Sequence, residues 1–179
     1  MERILHTPVS GLHVTAALLA VFFGTTVVLL PKGTRRHRQL GYAYVASMLV
    51  VNGTAFGIYE LFGHFGVVHW GAVMSLLTLT GGMGMAILKQ PAKNWRFWHE
   101  ALMGWSVTGL YAAGLVESTY RMFPAHYFWW VTMGLSAITF LTGGFLLRYG
   151  RQIYARFGPF RRVEAVVSQK KIENGRLKR

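Results

Sequence analysis

Apolar residues gather into five long runs along this chain, Val9 to Leu30, Leu40 to Phe62, Phe65 to Leu88, Phe97 to Val116 and Tyr127 to Leu147, separated by short polar breaks. Each run is close to the ~20 residues that a helix needs to cross a hydrocarbon core about 30 Å thick. None alternates strictly between apolar and polar positions, so a transmembrane barrel is excluded. The pattern predicts an all-α integral membrane protein, a bundle of five transmembrane helices. Gly63 to Gly66 reads as a tight turn, and Pro31 to Gln39 and Lys89 to Trp95 as short loops, which leaves no room for a soluble domain. The expected organisation is one bundle over residues 1–148 and a basic tail over 149–179. In that tail Gln152 to Phe157 prolongs the last helix until Gly158 and Pro159 break it, and from Gln169 the sequence is polar enough to stay disordered.

Composition agrees with that class. Hydrophobic residues make up 53% of the 179 and charged residues only 14%, too little polar surface to cover a soluble domain of this size. Lys and Arg set the orientation, because cytoplasmic loops retain positive charge during insertion. Lys32, Arg35, Arg36 and Arg38 lie between the first two runs, Lys89, Lys93 and Arg96 between the third and fourth, and a dense series from Arg148 to Arg179 follows the fifth; only Arg3 and Arg121 stand opposite. The N-terminus is expected outside and the C-terminus in the cytoplasm, in a multi-pass protein of the inner (plasma) membrane. Val9 to Leu30 is expected to be a retained span rather than a cleaved signal, since four basic residues follow it. The net charge of +13 points to anionic lipid headgroups rather than nucleic acid, because the cations cluster beside helix ends.

Cysteine is absent, which excludes disulfides, thiolate metal sites, iron–sulfur clusters and C-x-x-C-H haem attachment. Aspartate is absent too, so the carboxylates are six glutamates, with Glu60 and Glu117 at outer helix ends and Glu100 at an inner one. Any metal or haem must then be held by His, Glu, Met or Tyr, and among these the placement of histidine is regular. His13, His69 and His126 fall near the outer boundary, and His37 and His99 near the inner one. An ionisable side chain at such a position is a functional-site hypothesis in its own right. From His99 to Val116 is seventeen residues, about 25 Å along a helix, so the two groups cannot share one site.

Two imidazoles from different helices in each leaflet suit bis-histidine ligation of haem, with helix walls forming an apolar slot. Two b-type haems would then form an electron path across the membrane. The inner pair would be His37 with His99, and the outer pair His69 with either His126 or His13. Small residues beside the ligands leave room for a macrocycle: Gly41 lies one turn from His37, and His13 shares a helix face with Ala17, Ala20 and Gly24. Basic residues near the inner pair, and Arg121 at the outer face, would meet haem propionates. A quinone or another redox partner would complete the path.

These residues also carry a resemblance. The run Pro31-Lys32-Gly33-Thr34-Arg35-Arg36-His37-Arg38-Gln39-Leu40-Gly41, then His69 leading a span rich in Leu and Thr, then His99 with Met103 one turn on, resembles the bacterial membrane family called domain of unknown function 2306, over about two thirds of the chain. That resemblance implies a fold and no activity. More loosely, histidines at the starts of consecutive helices, with basic residues before His37 and His99, look like the cytochrome b-561 di-haem electron-transfer proteins. Their pairing of alternate helices would favour His126 as the partner of His69.

Two other readings stay open. His13, His69 and His126 with Glu60 or Glu117 are suited to zinc at the outer face, with an open position for water and hydrolysis of a lipid-like substrate, although no H-E-x-x-H motif supports this. Alternatively the chain is a transporter or accessory subunit, with Asn52 and the histidines as polar glue between helices. His6 and His64 are expected to be solvated.

Overall fold

A computed structural model describes residues 8–58, 64–89 and 93–157 of the chain. Among these residues there is no strand, and each of the five apolar runs forms a helix: α1 (Pro8–Leu29), α2 (Arg35–Ala55), α3 (Val67–Leu88), α4 (Trp95–Tyr120) and α5 (Phe128–Phe157), with a short 3-10 turn at Ala125–Tyr127 before α5. The ends differ from those read off hydropathy. α2 starts five residues before Leu40 because the Thr34 hydroxyl accepts the His37 amide at 3.1 Å, a side-chain N-cap that draws the basic run into the helix. It ends at Ala55 rather than Phe62, where Gly57 turns the chain back onto the Thr54 carbonyl. α4 runs four residues beyond Val116, and α5 continues to Phe157; the expected breakers Gly158 and Pro159 lie outside the described residues. The Gly63 end of the expected turn and Glu60 lie outside the described residues.

The chain divides into two compact units, residues 1–143 and 144–179. Within the first, α1 packs along α2 and α3 along α4, with lighter contacts closing the ring between α2 and α3 and between α1 and α4. The centre of this four-helix ring is a small core of Ala20, Tyr44, Met48, Leu79 and Leu110, flanked by Val21, Phe23, Val45, Val51, Met103 and Val107. Glycines set how closely the helices approach. A Cβ on Gly24 would lie 2.9 Å from the Tyr44 ring, and one on Gly82 would lie 2.8 Å from Met103 Sδ. The first half of α5 leans on α4, where Gly143 lies against Thr108 and Trp105 against Phe140.

Among the described residues three helices, α1, α3 and residues 128–150 of α5, are long and apolar enough to cross a membrane. α2 and α4 are more polar in sequence, with charged residues such as Arg35, Arg36, Arg38 and Glu117 exposed near their ends and a few polar residues turned inward further along. Asn52, Ser106 and Thr108 are buried, while Leu49, Val50, Trp105 and Leu115 are exposed. An outward apolar face over a polar seam is the arrangement expected where the surroundings are lipid.

Candidate functional site

At the end of the bundle where α2 and α4 begin, the ring of His99 is held by α3. Its Nδ1 lies 2.8 Å from the Gly82 carbonyl oxygen. A carbonyl can only accept, so Nδ1 carries the proton and the neutral ring keeps its lone pair on Nε2. Metal-bound histidines are oriented in this way, one nitrogen donating to a carbonyl and the other facing the metal. Gly82 can serve because it has no side chain. Met103, one turn along from His99, packs where a Cβ would be.

His37 faces this region from α2. Its pKa is lowered, chiefly by burial and then by the Lys32 ammonium, with a further push from His99; the Val27 carbonyl on α1 acts in the opposite direction. That carbonyl influences the ring without a hydrogen bond of full geometry, since Nδ1 of His37 is buried with no partner in reach. Lys32 is exposed along its stem, but its ammonium folds back to donate to the Val27 and Val28 carbonyls at 3.1 and 2.6 Å, neutralising the end of α1. Burial lowers its pKa as well, and Glu100 raises it. Lys32, His37, His99 and Glu100 therefore form one interacting cluster, drawn from the loop after α1 and from α2 and α4.

Gly41, one turn from His37, has nothing within 4 Å of where a Cβ would stand. Two turns from each histidine lie Tyr44 and Ser106, whose hydroxyls meet at 2.8 Å in the buried centre of the ring. Sequence reasoning missed this pair. Its signal was a hydroxyl residue seven positions after each inner histidine, inside an otherwise apolar run.

The histidines at the opposite end of these helices are arranged differently. His13 Nδ1 lies 2.8 Å from Thr54 Oγ1. The threonine hydroxyl already donates to the Val50 and Val51 carbonyls, so His13 is the donor and its Nε2 keeps a lone pair. His69, only 2% exposed, shows the opposite polarity. Its Nδ1 accepts the Gly66 amide at 3.1 Å, closing the first turn of α3, and in the neutral ring the proton therefore sits on Nε2. Its ring stacks on Phe65 at 4.8 Å and lies 6.5 Å from Phe56. Both histidines border the C-terminal end of α2, one through Thr54 and the other through Phe56. His126 is exposed in the 3-10 turn, tilted against Tyr127 at 4.1 Å. Arg121 pairs with Glu117 four residues earlier at 3.6 Å.

Among the described residues no three His, Asp or Glu side chains come together to hold a metal ion. A haem held by two imidazoles needs no third. Set beside known proteins, the chain matches no family model, no curated protein and no solved structure.

Proposed function

We propose that this chain is a five-span protein of the plasma membrane, N-terminus outside and C-terminus in the cytoplasm, that binds haem b between His37 and His99 and transfers electrons. The observation that carries the reading is the bond from His99 Nδ1 to the Gly82 carbonyl, which leaves Nε2 as the free ligand atom. His37 supplies the second imidazole, and its lowered pKa favours the neutral form that a metal requires. Open space at Gly41 fits a flat group beside that ring, and the Tyr44–Ser106 pair lies towards the membrane centre. Haem would supply a one-electron centre whose potential the axial imidazoles and burial tune. Arg35, Arg36 and Arg38 suit its anionic edge as well as lipid headgroups.

A second haem at the outer face would use His13 and His69. His69 would have to exchange its tautomer and release Gly66, so the reading rests on the inner centre. The test is the absorption spectrum of detergent-purified protein, oxidised and dithionite-reduced, with haem quantified. Sharp reduced bands with about one haem per chain are expected, lost in His37→Ala and His99→Ala and kept in His13→Ala, His69→Ala and His126→Ala. Colourless protein from haem-sufficient cells would refute the proposal.

A further inference from the structure

The two tightly packed hairpins, α1–α2 and α3–α4, match one another at several positions, though not throughout: at the intervals that relate them, buried Gly24 corresponds to exposed Thr80 and buried Asn52 to exposed Gly114. His13 and His69 lie 56 residues apart on the first helices, and Ala16 and Ala72, at the same interval, are both buried. On the second helices the interval is 62. It relates His37 to His99, Tyr44 to Ser106, and Met48 to Leu110, and the last two pairs are buried in both copies. The hairpins touch reciprocally, α1 with α4 and α2 with α3.

The contact between Tyr44 and Ser106 makes the relation geometric. Equivalent residues of two copies meet in this way where both lie beside a two-fold axis. We infer that residues 8–55 and 67–120 are two copies of one helical hairpin related by a pseudo-two-fold axis along the bundle, with the inner histidine pair as matched positions facing each other across it. Parallel repeats of this kind place an axis along the membrane normal and a site between the copies. His13 and His69 are then the outer counterpart pair, and His126 lies outside the repeat. The copies have diverged at the outer end, where His13 is bonded to Thr54 and His69 caps its own helix.

The repeat does not depend on haem; only the use of the inner pair as haem ligands rests on the function proposed above. Because the chain has no cysteine, spin labels can be placed without background. Leu12→Cys and Val68→Cys sit one residue before the outer histidines, and Leu49→Cys and Tyr111→Cys are 62 apart on the second helices; all four positions are exposed. Pulsed electron–electron distances in lipid should give equal values for 12–49 and 68–111, and equal values for 12–111 and 68–49. A mismatch beyond one helical turn, about 5 Å, in either comparison overturns the repeat. Haem content read on His37→Ala and His99→Ala should fall by the same fraction. Absence of haem from the parent protein would remove the proposed function and leave the distances to decide the repeat.

Discussion

Tyr44 on α2 and Ser106 on α4 join hydroxyl to hydroxyl at 2.8 Å, and Tyr44 rests its ring on the bare backbone of Gly24 on α1. One side chain thereby ties three helices together at the centre of the ring. Tyr44→Phe keeps the ring and removes the bond, so unfolding in detergent should show a loss of about 0.5–1.5 kcal/mol. A double-mutant cycle with Ser106→Ala should recover most of that as coupling. Full additivity would show that the bond contributes nothing.

The glycines of the bundle should respond unequally to a methyl group. Gly24→Ala places a carbon against the rigid Tyr44 ring and is expected to cost about 1–3 kcal/mol as overpacking. Gly41→Ala meets no neighbour and should leave stability nearly unchanged, while Gly41→Leu should lower haem content without unfolding the chain. Thermal unfolding and the reduced spectrum, read on the same samples, separate the two effects.

His69 belongs to the start of α3, where its ring accepts the Gly66 amide. His69→Ala leaves that amide without its acceptor and should cost about 1 kcal/mol, with faster hydrogen exchange at Gly66. His69→Gln, which can reach back in the same way, should restore most of the protection. Equal exchange in the two variants would show that the ring, not the cap, matters there.

In haem-free protein the lowered pKa of His37 links stability to pH. The folded chain holds fewer protons at this site than the unfolded chain just below pH ~6.5, so stability rises with pH there. The contribution is complete above that value and declines as pH falls through the lowered folded value. Lys32→Gln removes one of the two leading causes and should move the His37 titration, followed by NMR, upwards. No movement would mean that burial and the remaining neighbours, not Lys32, set the shift.

Much of the fold was legible because lipid selects for long apolar runs, and every run became a helix. The N-cap of α2 was also present in the sequence, as Thr34 three residues before His37. The early end of α2 was not, since Phe56 to Phe62 is as apolar as the helix and only the turn at Gly57 stops it. At the site, the inner grouping of His37 and His99 followed from helix polarity. The tautomers did not, because they depend on a backbone carbonyl, a threonine hydroxyl and a backbone amide that no side-chain pattern marks. Arg121, read as a partner for a haem propionate, pairs with Glu117 one turn before it.

The inward-facing polar seam of α2 and α4 also bears on biogenesis. On the five-span reading, neither helix offers the translocon a segment as apolar as α1, α3 or α5, and Asn52, Ser106 and Thr108 lose water before they gain neighbours. Each polar helix is best admitted together with the apolar helix synthesised just before it, which already packs along its length. Membrane entry would then proceed by hairpins, α1 drawing in α2 and α3 drawing in α4, and the Tyr44–Ser106 bond would form only when the second hairpin meets the first.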